Sequence, residues 1–338
     1  MMSKILSNKS EIKKILVVSL TNIGDVILTF PVIDILKKDF PTAKLSIVIG
    51  PKAESLFYEN PYLDKIHIFD KHQSPLKSLS WVGKLRQERF DLVVDLRNTA
   101  IPFMISPRYR TSYRAPRVDG LHMKKKHLKR LESVYVTETQ NAEQCALFVA
   151  AKEEDYVDQL IEKEIGRDGR YVIVAPGAAD HSKQWPERNF SSVCDRLIKE
   201  HQVKIIFVGN DEDRKVAQRI NKFMIADAVN LCGRTNLVQL AELFKHCFFT
   251  IVNDSAPMHL ASYLNKPVLA LFGPTDPVKY GPWSLQSCFL KKSSECQACA
   301  NLKTSLAHTC MDAITDKDVF EMLQINSLEN LVAFKNDQ

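Results

Sequence analysis

With 338 residues, 45% hydrophobic and 25% charged, the chain has the length of two ordinary cores and the composition of a soluble globular protein. No apolar run approaches the roughly 20 residues that a spanning helix needs. Met1–Lys14 is polar and lacks an apolar signal core, so the expected compartment is the cytoplasm. The net charge of +6 is uneven: residues 1–150 hold 24 Lys and Arg against 15 Asp and Glu, and the remainder holds 22 against 25. Nine basic residues fall between Arg108 and Arg130 with only Asp119 opposing them. That asymmetry points to an anionic partner for the first half.

In chain order, Ile15–Leu20 reads as a strand and Val26–Phe40 as a helix ended by Pro41. Leu45–Ile49 and Lys65–Phe69 read as strands, Ser78–Arg89 as a helix and Leu92–Asp95 as a strand. Such alternation means βαβ units and a parallel sheet. The pattern blurs through the basic stretch and resumes as a helix near Asn141–Ala151. The charged segment Glu153–Asp168, with Gly166 and Gly169, is the expected inter-domain connection. A second series follows: strand Tyr171–Ala175, helix Pro186–His201, strand Val203–Val208, helices Asp211–Asn221 and Leu237–His246, and strand Phe248–Val252. Asp316–Phe334 reads as an amphipathic helix. The expected domains are therefore 1–155 and 168–315, with the C-terminal helix 316–338 free to pack back on the first. Two α/β domains in tandem place a cleft between the carboxyl edges of their sheets, where ligands bind. There is no Gly-x-Gly-x-x-Gly and no Gly-x4-Gly-Lys-Ser/Thr, which disfavours dinucleotide oxidoreductases and P-loop phosphotransferases.

Candidate site residues cluster after strands. Asn253-Asp254-Ser255-Ala256-Pro257-Met258-His259-Leu260 is a strand end, a polar turn and a helix start, and Pro267 to Pro277 repeats the strand and turn. Asp254 or Ser255 can cap that helix, whose free N–H groups and positive dipole end suit a phosphate. Ser19-Leu-Thr21-Asn22-Ile-Gly24-Asp25 follows the first strand: Gly24 permits a tight turn, and Asp25 is either a general base toward a hydroxyl or a helix cap. In Ala175-Pro176-Gly177 to Pro186, Gly177 allows close backbone approach, and Lys183 is a phosphate ligand or a solvated loop residue. Glu212 or Asp213, after Gly209, suits ribose hydroxyls or complements a helix dipole. Cys232 to Asn236, with Thr235, is a turn and cap that could meet a base edge. His259 is expected to pack in its helix or cap it.

Together these segments resemble glycosyltransferase family 9, the ADP-heptose:lipopolysaccharide heptosyltransferases. The matching pieces are Ile23-Gly24-Asp25-Val26 with Pro31, Pro176-Gly177 with Lys183-x-Trp185-Pro186, Gly209 with Glu212, Asn253–Ala261 and Phe272–Pro277. The resemblance implies a GT-B fold, with an acceptor-binding first domain and a nucleotide-sugar-binding second domain. It implies inverting transfer of a heptose or related sugar from an ADP-sugar to a lipopolysaccharide core-type glycolipid, with no required metal or cofactor. In it Asp25 is the general base and Lys183 the diphosphate ligand that offsets charge on the leaving group. Glu212 is the ribose acid, Asp254, Ser255 and Ala256 form the phosphate and sugar turn, Thr235 lies at the adenine, and Thr21, Asn22 and Gly24 lie at the acceptor. Two positions depart from the family pattern. Ala178 and Ala179 stand where some members place hydroxyls, so Ser182 substitutes, and Ala256 stands where Gly is common and requires a negative φ.

The stretch Arg108–Arg130 then fits peripheral contact with an anionic membrane face, each cation contributing on the order of 1 kcal/mol. A solvated loop is the alternative. Nucleic acid is not expected, since only Tyr109 and Tyr113 interleave the charges. Cys296, Cys299, His308 and Cys310 could hold a structural zinc, although His308 and Cys310 are not a spaced pair, and otherwise the cysteines are reduced thiols. Other readings of the residues are a GT-B-fold nucleotide-sugar epimerase or hydrolase and an inactive nucleotide-sugar-binding protein.

Overall fold

The computed structural model describes residues 5–6, 8–19, 21–113, 120–137, 139, 142–166, 169–292 and 310–326. It divides into two compact units, Met1–Phe148 and Val149–Gln338.

In the first unit, β1 (Lys14–Val18), β2 (Lys44–Ile49), β3 (Lys65–Ile68), β4 (Leu92–Asp95) and β5 (Tyr109–Arg110) form a parallel sheet in the order β3-β2-β1-β4-β5. Ile15, Leu16, Val17 and Val18 are all buried, as expected of a central strand covered on both faces. The order reverses between β1 and β4, which makes that pair the topological switch point.

The single helix expected over Val26–Phe40 is two, α1 (Ile23–Ile27) and α2 (Phe30–Asp39). Pro31 has no N–H to continue the ladder, and Thr29 Oγ1 donates to the Val26 carbonyl at 2.6 Å across the break. The basic stretch holds α4 (Ile101–Ile105), β5 and α5 (Met123–Glu132), after α3 (Pro75–Gln87). No helix covers 142–150. There Asp34 Oδ1 accepts the N–H groups of Cys145 and Ala146 at 2.9 and 2.8 Å, and Asn60 Nδ2 donates to both their carbonyls at 3.1 and 3.0 Å. Side chains thus use the backbone groups that a helix would need.

The second unit begins earlier than the sequence suggests. Most of the expected connection is helix α6 (Ala151–Glu164), tied to α9 (Leu237–His246) by Gln239 Nε2 to Glu153 at 2.6 Å and by Lys245 to Glu154 at 3.5 Å. Its strands are β6 (Tyr171–Ala175), β7 (Lys204–Phe207), β8 (Val229–Asn230), β9 (Thr250–Asn253), β10 (Val268–Phe272) and β11 (Ser287–Lys291), all parallel in the order β11-β10-β9-β6-β7-β8. Here the reversal falls between β6 and β9. Helices α7 (Glu187–His201), α8 (Asp213–Phe223), α10 (Ala256–Tyr263) and α11 (Pro277–Tyr280) link the strands.

The helix Asp316–Ile325 belongs to the second unit and packs in its core. Val319, Phe320 and Leu323 join the core around Trp185, Phe190 and Val193, Arg196 lies 3.8 Å over the Phe320 ring, and Lys292 pairs with Asp318 at 2.7 Å. The continuation to Phe334 lies outside the described residues. Among the described residues no helix is long and apolar enough to cross a membrane.

Candidate active site

The second unit builds its site at its switch point. β6 and β9 are neighbours with Ala175 opposite Val252, so the chain leaves both strands at one edge. Asn253, the last residue of β9, is fully buried; its Nδ2 donates to the Pro176 carbonyl at 2.7 Å and its Oδ1 accepts the Trp185 N–H at 3.3 Å. One amide therefore holds both ends of the loop 176–185. Within that loop Asp180 accepts the Ser182 N–H at 2.9 Å and closes the 3₁₀ turn His181–Lys183. Lys183, so placed, sets its Nζ 2.7 Å from Asp254 Oδ2, with the carboxylate only 6% exposed and the lysine 29%. Gly273, just after β10, packs against the same loop: a Cβ there would lie 2.8 Å from the Ser182 carbonyl oxygen.

Ser255 occupies the cap position of α10, yet its side chain does not cap. Its Oγ donates back to the Asn253 carbonyl at 3.2 Å. Among the described residues no acceptor takes the N–H of Ser255 or Ala256, and Pro257 has none to give. The helix start therefore presents open donors beside the Lys183–Asp254 pair, an arrangement suited to an anion. Ala256 is the first helical residue and is not at positive φ, so its Cβ is accommodated without backbone strain.

Beside this edge, glycines fix one of two adjacent acids. A Cβ at Gly177 would lie 2.0 Å from Asp213 Oδ1, and one at Gly209 would lie 2.5 Å from Asp213 Oδ2. Asp213 thus sits in a notch between two backbones, where Oδ2 accepts the Asn210 N–H at 2.9 Å. Burial pushes its carboxyl above the ordinary value, the Asn210 N–H opposes this, and the neighbouring Glu212 adds to the rise. Glu212 is exposed at the start of α8, and its carboxylate has no partner among the described residues. The next loop is drawn in by the Gly233 N–H, 2.9 Å from the Gly209 carbonyl, with Gly233 at φ +72°. Thr235 follows, half-buried, one residue before Asn236 caps α9 with a reciprocal Gln239 contact.

In the first unit Thr21, Asn22, Gly24 and Asp25 follow β1 beside the β1–β4 switch point. Gly24 makes no left-handed turn; it is the second residue of α1. Asp25 is the third residue of α1 and does not cap it: its carboxylate accepts from Asn22 Nδ2 at 3.1 Å and remains partly exposed. Close approach occurs instead at Gly50 after β2, where a Cβ would lie 2.9 Å from Thr21 Cα. The adjacent strand β4 ends in Asp95, which is 3% exposed and carries a raised pKa from burial, offset by hydrogen bonds from Thr99 and Arg97.

The family model of glycosyltransferase family 9 (heptosyltransferase) matches residues 79–309, more than half of the chain. The chain belongs to glycosyltransferase family 9. As a family 9 glycosyltransferase it is 28% identical over 297 residues to lipopolysaccharide heptosyltransferase 3 of Escherichia coli K12, covering 77% of this chain and 83% of that protein. It is 23% identical over 305 residues to lipooligosaccharide heptosyltransferase 2 of Haemophilus influenzae, covering 82% and 88%. The crystal structure of the glycosyl transferase family 9 from Veillonella parvula superposes with a TM-score of 0.79 at 23% identity, covering 94% of this chain and 97% of that one. E. coli ADP-heptose lps heptosyltransferase II superposes with a TM-score of 0.73 at 20% identity, covering 94% and 99%. The expected GT-B fold, two Rossmann-like parallel sheets, is the fold of this family 9 chain.

Some candidates do not join these sites. Cys296, Cys299 and His308 lie outside the described residues. Cys310 is buried and disulfide-bonded, so it is neither the reduced thiol nor the thiolate ligand the sequence suggests. The thiols of Cys145, Cys194, Cys232, Cys247 and Cys288 are free and buried, and burial pushes each above its ordinary pKa, which makes them inert core residues. His259 stacks on Trp283 at 5.6 Å. The basic stretch is partly occupied: Arg108 pairs with Glu11 at 2.6 Å, Arg110 lies 4.2 Å over Phe103, and Arg130 donates to Asn98 Oδ1 at 2.5 Å.

The sequence did not single out Asn253 as a bracket, Gly273 as a spacer or Asp213 as a loop anchor. A buried amide in the last position of β9 was the available signal for the first. The other two depend on contacts across distant loops.

Proposed function

We propose that the protein transfers a heptose, or a related sugar, from an ADP-sugar to a lipopolysaccharide core-type glycolipid, with inversion at the anomeric carbon. The observation that carries the reading is the Lys183–Asp254 pair beside the open N–H groups of α10. The family places the reaction among glycosyl transfers, and a protein of the same fold, E. coli heptosyltransferase WaaC, is known with ADP.

The second unit takes the donor. Lys183 and the N–H groups of Ser255 and Ala256 meet the diphosphate, Ser182 supplies a hydroxyl, and Gly177 makes room for Asp213, which anchors the loop beside them. Glu212 accepts from the ribose hydroxyls, and Thr235 stands at the base. The first unit takes the acceptor along Thr21, Asn22 and Gly24. Asp25, aimed by Asn22, removes the proton from the acceptor hydroxyl as its oxygen bonds to the anomeric carbon. The bond from that carbon to the diphosphate oxygen breaks in the same displacement, and inversion follows. Negative charge then grows on the diphosphate, where Lys183 and the helix N–H groups become more favourable than in the ground state. Lys183 supplies the positive charge that a divalent ion would give in a metal-assisted reaction.

A peripheral position on an anionic membrane face belongs to the same proposal. Its support is the run Lys124–Lys126 with Lys129 on α5, together with exposed Phe103, Met104 and Tyr113.

The test is transfer from ADP-heptose with and without a Kdo-bearing lipid acceptor, for the wild type and Asp25→Asn. Acceptor-dependent transfer, reduced roughly 10²- to 10⁴-fold by Asp25→Asn with ADP binding intact, supports the reading. Sugar release that ignores the acceptor, or donor binding with no turnover, refutes it.

A further inference from the structure

A second device stands at the first unit's switch point, and the loop after β4 carries it. β1 and β4 are in register with Val18 opposite Asp95, so the segment bearing Asp25 and the segment 96–100 leave neighbouring strands at one edge. Asp95 devotes its carboxylate to shaping that second segment. Oδ1 accepts the N–H groups of Arg97 and Asn98 at 2.9 and 3.0 Å, and Oδ2 accepts the N–H and Oγ1 of Thr99 at 2.6 and 3.0 Å. Asn98 is held at φ +65°, a left-handed conformation that non-glycine residues adopt at a cost, and Arg130 from α5 grips its Oδ1. The strand end is fixed from the other side by Thr111 Oγ1, which accepts the Asp95 N–H at 3.0 Å.

What this construction presents is Arg97. It lies one residue before the strained Asn98, is half-buried, and its guanidinium has no hydrogen-bond or ion-pair partner among the described residues. Its neighbours differ: Arg108, Arg110 and Arg130 are engaged by Glu11, the Phe103 ring and Asn98. A buried carboxylate, a strained residue and a second arginine thus hold in place one cation with open donors. A guanidinium offers five N–H donors in a planar fork that matches carboxylate or phosphate oxygens in pairs.

We propose that Arg97 binds an anionic oxygen pair on the acceptor, a sugar-acid carboxylate or a sugar phosphate, and so sets which acceptor hydroxyl is offered to Asp25. The inference rests on the acceptor lying at the first unit, as in the proposed function, and adds a specificity residue to it. Arg130 and Asp95 act through the loop as positioning residues; of these three, Arg97 is the one that touches the ligand.

The test compares wild type, Arg97→Gln and Arg97→Lys, reading acceptor KM, donor KM, kcat and thermal midpoint, with acceptor affinity also measured by titration without donor. Arg97→Gln raises the acceptor KM and the acceptor Kd about 10- to 100-fold, the loss expected for a charge-assisted bidentate contact, and leaves donor KM and thermal midpoint unchanged. Arg97→Lys loses less. Two modified acceptors identify the anion: the penalty of Arg97→Gln disappears with a dephosphorylated acceptor if phosphate is read, or with a carboxylate-esterified one if the sugar acid is read. An unchanged acceptor KM and Kd overturns the inference. So does a parallel rise in donor KM with a lower thermal midpoint, which marks a structural role. Absence of acceptor-dependent turnover in the wild type refutes the proposed function instead, and the titration without donor still judges Arg97.

Discussion

Lys183 Nζ lies 2.7 Å from Asp254 Oδ2, joining residues 71 apart in the chain at the edge where β6 and β9 end. The cation assigned to the leaving diphosphate is therefore held in place by a nearly buried carboxylate before any ligand arrives. Lys183→Ala leaves Asp254, only 6% exposed, without its counter-ion, at a cost of about 1–3 kcal/mol in stability. The double variant Lys183→Ala/Asp254→Asn removes the stranded charge. It regains most of the thermal midpoint but none of the turnover, which stays reduced by about 10²-fold or more. If activity returned with stability, Lys183 would be a structural residue only.

Glu212 and Asp213 are adjacent acids with different surroundings. Asp213 is locked between Gly177 and Gly209, whereas Glu212 is exposed and its carboxylate has no partner among the described residues. Glu212→Gln is expected to weaken ADP binding about 10-fold, in the range of a hydrogen bond to a charged group, with an unchanged thermal midpoint. Asp213→Ala is expected to lower the thermal midpoint, losing about 1 kcal/mol with the Asn210 contact. Calorimetric titration with ADP beside thermal unfolding separates the two, and the opposite pattern would move the ribose role to Asp213.

Gly273→Ala tests how tightly the loop 176–185 is seated. The new methyl would meet the Ser182 carbonyl oxygen at 2.8 Å and Met311 Sδ at 3.2 Å. Backbone cannot swing aside as a side chain can, so the loop carrying Ser182 and Lys183 must shift. Overpacking of this kind typically costs about 1–3 kcal/mol. ADP affinity should fall by about 10-fold or more while acceptor binding to the first unit is unaffected. Equal ADP affinity in the variant would show that the loop position is irrelevant to the nucleotide.

Much of this architecture was readable in the chain because buried parallel strands are continuous apolar runs. Leu92–Asp95 and Tyr171–Ala175 have the expected limits, as does the helix Leu237–His246. Legibility failed where distant side chains override local pattern. The segment before Ala151 looks helical until Asp34, 111 residues from Cys145, takes its backbone donors. α5 was hidden for another reason: of Met123–Glu132 only His127 and Leu131 are buried, too thin an apolar stripe to show through five basic residues. At the site, each strand-end loop could be placed from the sequence. The ion pair of Lys183 with Asp254, the Asn253 bracket and the Gly273 contact could not, because each joins loops that only the sheet order brings together.

His127 gives the first unit a pH dependence with a definite sign. It is 3% exposed on α5, and burial, with Arg130 and His122 adding to it, lowers its pKa from 6.5 to about 4. Its Nε2 has no hydrogen-bond partner among the described residues, so the neutral ring is held as a nearly apolar body. Above pH 6.5 the imidazole is neutral folded and unfolded, and stability does not respond to it. As pH falls from 6.5 towards 4, the unfolded chain binds a proton that the folded chain refuses. Stability then drops by up to about 1.4 kcal/mol per pH unit and levels off once the folded ring protonates. Other groups titrate in the same range, so the comparison is with His127→Leu, which keeps the bulk and removes the titration. Between pH 7 and pH 5 the wild type should lose about 2 kcal/mol more than the variant, read as a steeper fall of the thermal midpoint. Parallel pH profiles for the two proteins would mean that His127 protonates in place, and that the buried neutral ring is wrong.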